Sequence, residues 1–164
     1  MKGEDHMGNK TMTLVLVSLV CVFVPIRPSY ASDDVSVGTW KLNAAKSTLP
    51  GPPPKSYINK IEVVDGRIKF TNDMIDAEGK HTHSEWTGKY DGMDYPIKGD
   101  PNRDTVARKK IDQYTVENMN KKGGKVTTIG RSVYSRDGKS KTETTTGTDA
   151  QGQKVDYIIF WERQ

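Results

Sequence analysis

Residues 57–73 have the sequence YINKIEVVDGRIKFTND, two runs of β-favouring residues on either side of Asp65-Gly66. Aspartate next to glycine permits the positive φ angles of a two-residue hairpin turn. In residues 67–70, basic and apolar side chains alternate, so one face of the strand is solvated and the other is buried. The stretch therefore predicts an antiparallel β-hairpin that covers a core with one face.

The rest of the chain repeats this pattern of short strand-like runs between hairpin turns. Asp-Gly or Gly-Gly pairs recur at 91–92, 123–124 and 137–138, and no window shows the 3.6-residue apolar period of an amphipathic helix. The class is therefore all-β. We predict an up-and-down antiparallel meander of about ten strands that closes into a small barrel, because closure removes exposed sheet edges. A two-sheet β-sandwich is the alternative. The predicted strands are residues 38–43, 57–64, 67–73, 82–90, 93–97, 104–111, 114–120, 125–134, 139–147 and 153–162.

One long irregular segment, residues 44–56, separates the first two predicted strands. It contains Pro50, Pro52, Pro53 and Pro54, and proline lacks the N–H group that a helix interior requires. We expect this segment to cross the surface as an extended loop.

The first 31 residues have the order of a secretory signal peptide. Basic residues precede the apolar run TLVLVSLVCVFV at 13–24, and a small-residue cleavage site ends at Ala31. This run is shorter than the roughly 17–25 residues that span a bilayer, so no membrane span is expected after cleavage. We expect residues 1–31 to be removed and residues 32–164 to form one secreted or periplasmic β-domain.

The composition argues against several classes of function. The chain carries a net charge of +4, and its charges are interspersed rather than clustered as on a nucleic-acid-binding surface. The single cysteine, Cys21, lies in the predicted signal peptide, so the exported domain depends on packing and hydrogen bonds rather than on a disulfide. The glycines mark turns and form no phosphate-binding loop. Neither a nucleic-acid partner nor a cofactor is expected.

Two terminal motifs suggest a family. Residues 38–42, GTWKL, open the first predicted strand, and residues 160–163, FWER, end the last one. A Gly-x-Trp motif in this position resembles the calycins, the superfamily of lipocalins and fatty-acid-binding proteins. Residues 133–149, with SRDGK before a threonine-rich run, resemble small bacterial exported proteins described as lipocalin-like. The resemblance implies that Gly38 and Trp40 close one barrel end and that Arg163 covers the Trp40 ring.

The sequence departs from the fatty-acid-binding proteins in two places. Those proteins have a pair of helices between the first two strands, where this chain has the loop at 44–56. They also have an Arg-x-Tyr motif in the last strand, where this chain has Ile159 and Trp161. Because burying an unpaired carboxylate is costly, we predict that long-chain fatty acids bind weakly or not at all. Arg108 and Arg131 are the only candidates for an interior cation.

A threonine-rich run provides the candidate ligand-binding face. Alternation within residues 139–147 would direct Thr142, Thr144 and Thr146 to one face, and Thr82 with Ser84 could join them inside the barrel. Hydroxyl groups beside aromatic rings suit a small amphiphilic or aromatic ligand. An outward-facing, solvated threonine face is the alternative. The predicted ligand-binding residues are Thr82, Ser84, Trp86, Tyr90, Tyr114, Thr142, Thr144 and Tyr157.

His81, His83 and Glu85 alternate along one strand and could in principle bind zinc or copper. The opposite face carries Trp86 and Tyr90, which are better core candidates, so we expect the histidines in solvent and predict no metal site. The chain also lacks the Gly-x-Ser-x-Gly motif of a nucleophile elbow, and no enzymatic activity is expected.

Together these observations predict an exported lipocalin-like barrel that binds a small amphiphilic or aromatic molecule without a covalent bond. The alternative is a protein-interaction or inhibitor-type β-module of the cell envelope with no ligand cavity. Such a module would use the loops at 44–56 and 98–104. An interior volume of a few hundred cubic ångströms would favour the ligand-binding protein, because small-molecule sites are about that size.

Overall fold

The structure is a computed structural model that describes residues 34–149 and 151–164, together with the isolated Gly3. Apart from Gly3, the predicted signal peptide lies outside these residues. Within them, no helix has the length and apolar character needed to cross a membrane. The described residues form ten β-strands and one short 3-10 helix, Ala44–Lys46. The strands are β1 Gly38–Leu42, β2 Ser56–Val64, β3 Arg67–Ile75, β4 His81–Gly88, β5 Asp91–Lys98, β6 Thr105–Asp112, β7 Thr115–Lys122, β8 Lys125–Tyr134, β9 Ser140–Thr148 and β10 Lys154–Arg163.

The ten strands form a closed antiparallel barrel. Each strand pairs with its neighbours along the chain, and β1 closes the barrel by pairing with β10. In that pairing Trp40 lies opposite Arg163, and Leu42 lies opposite Trp161. The predicted all-β meander that closes into a barrel is therefore confirmed, and the alternative of a two-sheet sandwich is wrong.

The Asp-Gly turn between β2 and β3 shows why the strands begin and end where they do. Asp65 and Gly66 have φ angles of 50° and 70°, which only a short polar residue or glycine adopts readily. The turn sets a register in which Ile61 lies opposite Phe70, and both are buried. The alternation in the sequence and the geometry of the turn therefore specify the same hairpin.

The up-and-down topology places alternate turns at opposite ends of the barrel. The end that holds the 65–66, 113–114 and 135–139 turns is filled by side chains, and residues 34–37 lie across it. Its rings pack edge to face: Trp40 against Tyr134 with ring centres 5.4 Å apart, and Phe70 against Trp86 at 5.6 Å. Edge-to-face pairs add to the stability gained from burial alone. This half of the interior is the core of the domain.

The segment between β1 and β2 is more ordered than the predicted extended loop. Ala44–Lys46 form one 3-10 turn, which Asn43 caps by accepting a hydrogen bond from the Lys46 amide at 3.2 Å. Thr48 then forms an isolated β-bridge with Ile158 on β10. The prolines follow this bridge and carry the chain over the second end of the barrel.

Candidate functional site

A cavity of about 640 Å³ occupies the half of the barrel that the aromatic core leaves unfilled. The segment at 49–54 and the loop at 100–103 border it at the barrel end opposite the packed core. This volume falls within the usual range for small-molecule sites, roughly 300–1,000 Å³.

The two walls of the cavity differ in chemistry. One wall comes mainly from β1, β2, β3 and β10 and is largely apolar, and the other comes mainly from β3, β4, β7, β8 and β9 and is polar. An interior with one apolar and one hydrogen-bonding wall suits a molecule that has both characters. The apolar wall includes Leu42, Leu49, Tyr57, Met74, Ile159 and Trp161, and the polar wall includes Asn72, Ser84, Asn120, Thr128 and Glu143.

A row of hydrogen bonds runs from a buried lysine to the cavity wall. Lys141 Nζ donates to Asn59 Oδ1 at 2.6 Å, and Asn59 Nδ2 donates to Asn72 Oδ1 at 2.9 Å. Asn72 Nδ2 then donates to Ser84 Oγ at 3.3 Å. Asn72 and Ser84 line the cavity, whereas Lys141 and Asn59 lie behind them. The row therefore connects a buried ammonium group with the polar wall.

Lys141 is almost completely buried, with 2% of its surface exposed. Its Nζ lies 4.7 Å from the ring centre of Trp161, 5.5 Å from that of Trp40 and 5.9 Å from that of Tyr134. Burial, which disfavours the charged form, lowers the pKa of Lys141 to about 7. The charged ammonium group is stabilised by cation–π contacts with the three aromatic rings and by the hydrogen bond to the Asn59 oxygen.

Arg108 is a second buried cation, 7% exposed, on β6. Its guanidinium carbon lies 3.9 Å from the ring centre of Phe70 and 5.3 Å from that of Trp86. Desolvation lowers its pKa, and among the described residues it has no ion-pair partner and its Nε has no hydrogen bond. Of the two candidates for an interior cation, Arg108 lies inside and Arg131 lies outside, paired with Glu117 at 3.2 Å.

Among the described residues that line the cavity, the one cation is Arg103, which no sequence pattern had indicated. Its Nε donates to Asp100 Oδ2 at 2.7 Å, and its Nη1 donates to Asn120 Oδ1 at 3.0 Å. Its charge is therefore already paired. The spacing of Asp100 and Arg103 in a loop was the only available signal, and that spacing is common in turns.

The predicted ligand-binding residues fall into three groups. Thr82, Ser84 and Tyr157 line the cavity. Trp86 and Tyr90 belong to the packed half, where Trp86 Nε1 donates to the Val106 carbonyl at 3.0 Å and Tyr90 Oη lies 3.1 Å from Ser36 Oγ. The other three lie elsewhere and are Tyr114, Thr142 and Thr144.

The threonine face of β9 points outward, which agrees with the alternative interpretation and not with an inward-facing, ligand-binding face. Lys141 lies opposite Trp161 on β10 and Tyr134 on β8, and both of those side chains are buried. Paired residues of antiparallel strands point to the same side, so Lys141 faces inward, followed by Glu143 and Thr145. Thr144 and Thr146 consequently face solvent and Thr142 shares their side of the strand. Tyr114 was also wrongly placed, because it lies in the turn between β6 and β7 rather than in a strand.

The residues that the calycin resemblance picks out lie together at the packed end. Trp40 is fully buried, and the guanidinium carbon of Arg163 lies 4.4 Å from its ring centre. Arg163 also donates to the carbonyls of Val35 at 2.6 Å and Gly138. Gly38 has a φ angle of 147°, which residues with a side chain rarely adopt, and a Cβ added there would also press against Arg163 Nη1, so this position favours glycine.

The three alternating residues of β4 point into solvent, as expected. His83 Nδ1 lies 2.7 Å from Asp73 Oδ1, and His81 Nε2 lies 3.5 Å from the same oxygen. His83 Nε2 is 3.8 Å from Glu85. The described residues contain no group of three or more side chains arranged to hold a metal ion.

The ion pair on β3 and β4 gives a prediction for the titration of His83. A hydrogen bond to Asp73 raises the pKa of His83 above 6.5. The pair therefore stabilises the fold below pH 6.5, and this contribution is lost as the pH rises through the raised pKa. A histidine NMR titration should show that the Asp73→Asn variant lowers this pKa. Glu117→Gln, which removes a carboxylate elsewhere on the outer face, should leave it unchanged; an equal shift in both variants would contradict the pairing.

No model of a known protein family matches the chain, and no curated protein matches it either. The function of the cavity is therefore inferred from the residues that form it.

Proposed function

We propose that this protein is an exported, calycin-like barrel that binds a small amphiphilic molecule non-covalently in its cavity. The observation that carries the proposal is the cavity of about 640 Å³, with an apolar wall facing a polar one. The stacked pair of Trp40 and Arg163 and the Gly38 beneath it support the calycin relationship. The predicted signal peptide supports export.

The loops also favour a ligand-binding protein over a module that binds proteins through its outer loops. Residues Pro50, Pro52 and Pro54 and residues 100–103 contribute to the wall of the cavity. A proline-rich segment has little conformational freedom to lose when a ligand binds beside it. The loops that the alternative function would require are thus part of the cavity border.

Binding can be tested with N-phenyl-1-naphthylamine, a neutral aromatic amphiphile whose fluorescence increases in apolar surroundings. We expect saturable binding of one molecule per protein. Met74 lines the cavity and its neighbour Ile75 is exposed, so Met74→Trp and Ile75→Trp form a matched pair. In Met74→Trp, the larger side chain would occupy space that the probe needs. The probe would then bury less of its apolar surface, and its binding should weaken by about tenfold or more. Ile75→Trp should have little effect.

Two results would contradict the proposal. One is the absence of saturable binding to the wild-type protein, and the other is an equal loss in both variants, which would place the probe on the outer surface. Palmitate should displace the probe only weakly. The barrel does hold buried cations, but Arg108 and Lys141 are not among the described residues that line the cavity, and Arg103, which lines it, is already paired with Asp100.

A further inference from the structure

The hydrogen bonds behind the polar wall have a direction that chemistry fixes. An ammonium group has only donors, so the atom of Asn59 that contacts Lys141 is its carbonyl oxygen. The Asn59 amide nitrogen must then donate to the Asn72 oxygen, and the Asn72 nitrogen must donate to Ser84 Oγ. Each bond therefore has its donor on the side nearer to Lys141.

At the end of this row, the Ser84 hydroxyl has a hydrogen atom left to donate. Ser84 is 4% exposed and lines the cavity, and its oxygen accepts from Asn72. Within residues 34–149 and 151–164, this hydroxyl makes no second hydrogen bond. A buried donor without an acceptor is unfavourable, and a ligand oxygen in the cavity would satisfy it.

Trp161 is a second buried donor beside the cavity that lacks an acceptor among the described residues. It lines the cavity and is 2% exposed, and its indole N–H has no acceptor in the described part of the chain. Trp161 belongs to β10 and Ser84 to β4, so the two donors come from different strands. Both lack the same kind of partner, an oxygen with a free lone pair.

The charges that line the cavity decide between a neutral and an anionic acceptor. Arg103 is basic and already paired with Asp100, and the other charged residues of the lining in the described part are acidic. An anionic group would therefore meet repulsion, most directly from Glu143. The acidic lining residues are Asp76, Glu78, Asp100, Glu143 and Asp149.

We infer that Lys141, through Asn59 and Asn72, holds the Ser84 hydroxyl as a hydrogen-bond donor to the cavity, and that the ligand is a neutral molecule with a carbonyl oxygen. Ketones, esters and amides belong to this class. Lys141 acts as a positioning residue, since it is not in the cavity lining. The inference rests on the proposed binding function and adds the chemistry of the ligand.

The charge of Lys141 makes the row sensitive to pH. With its ammonium present, the direction of every bond is fixed; a neutral amine could also accept, and the two amides would lose their preferred orientation. Burial lowers the pKa of Lys141 to about 7, so this change falls in an accessible range. Glu143 on β9 and Arg108 on β6 are the charged groups that act on it, and Tyr134 on β8 is its titratable aromatic neighbour. Lys141 Nζ also contacts the neutral side chains of Asn59 on β2, Trp40 on β1 and Trp161 on β10.

The experiment compares three naphthalene probes by displacement of N-phenyl-1-naphthylamine. 2-Acetylnaphthalene offers a carbonyl oxygen, 2-ethylnaphthalene has a similar shape without it, and 2-naphthoate carries a negative charge. At about pH 6, the wild-type protein should prefer the ketone over the hydrocarbon by about tenfold, the usual effect of one satisfied hydrogen bond. The naphthoate should bind more weakly than the ketone.

Variants then test whether the preference for the ketone depends on the row of hydrogen bonds from Lys141 to Ser84. Ser84→Ala should abolish the preference for the ketone, and Lys141→Met should reduce it several-fold. Thr144→Val is the control: it removes a hydroxyl contact on the outer face and should leave the preference unchanged. Raising the pH to about 8.5 should reduce the preference in the wild-type protein but not in Lys141→Met. The pH comparison on the wild-type protein needs no variant to fold.

The outcomes separate the inference from the function on which it rests. If N-phenyl-1-naphthylamine binds but the wild-type protein does not distinguish the ketone from the hydrocarbon, the inference is wrong and the binding function stands. A preference that survives Ser84→Ala, or tighter binding of the naphthoate, also overturns it. If no probe binds, both proposals fail.

Discussion

Replacement of Trp40 by alanine should lower the free energy of unfolding by about 3–5 kcal/mol, the usual cost of truncating a buried tryptophan. Trp40 is fully buried, its ring contacts Tyr134 edge to face, and its indole nitrogen donates to the Ser36 carbonyl at 2.9 Å. Truncation would leave a cavity and would also remove the surface on which Arg163 stacks. Urea unfolding followed by circular dichroism measures the loss directly.

A matched control separates this effect from a general sensitivity of the barrel. Ile158 lies on the outer face of β10 and is 41% exposed, so Ile158→Ala should cost less than about 1 kcal/mol. A loss below about 1 kcal/mol for Trp40→Ala would contradict the structural role of the Gly-x-Trp motif. Combining Trp40→Ala with Arg163→Met in a double-mutant cycle would isolate the contribution of the stacked guanidinium, expected at roughly 0.5–2 kcal/mol.

Lys141 should make the barrel more stable in mildly alkaline than in neutral solution. Its pKa falls from 10.5 to about 7 on folding, mainly because burial disfavours the ammonium. Between these two values the unfolded chain binds more protons than the folded one, so stability rises with pH. The slope is about 1.4 kcal/mol per pH unit, which gives an upper limit of about 3 kcal/mol between pH 7 and pH 9.5.

The pH window is limited by the buried tyrosines. Burial raises the pKa of Tyr90 to about 12 and raises that of Tyr134 well above 10, so ionisation of tyrosine in the unfolded chain opposes the gain above about pH 10. Urea unfolding at intervals across the window should show a positive slope for the wild-type protein. Lys141→Met should flatten that slope. A wild-type slope no steeper than that of Lys141→Met would show that Lys141 stays charged in the folded state, because the opposing loss at His83 is common to both proteins.

The fold was predictable because its strongest determinants are local. Asp65-Gly66 specifies a turn by its own backbone preferences, and the alternation in residues 67–70 specifies which face is buried, so no distant contact has to be known. The observed strands begin and end within about two residues of the predicted ones, the usual uncertainty of such boundaries. The closure of β1 on β10 followed from the cost of exposed edges.

The candidate site was only partly predictable because its inner face contradicts the general rule for lysine. Lysine is rarely buried without a carboxylate, and an inward-facing threonine face on β9 would have left Lys141 in solvent. Three aromatic rings and the Asn59 oxygen make the opposite arrangement possible, and they come from β1, β2, β8 and β10. Such a combination becomes visible only when the register of all these strands is known.

The pairing of β1 with β10 has a consequence for how this chain folds. The two strands that close the barrel are separated by most of the described sequence, so the contact between Trp40 and Arg163 requires the closure of a long loop. The other strand pairs join neighbours along the chain, so this closing pair carries the largest loop-closure entropy of the barrel. Until closure, β1 and β10 are both open edges that can pair with other chains. Pairing of β1 with β10 therefore does more than complete the core, because it removes the two edges at which a partly closed chain is open to aggregation.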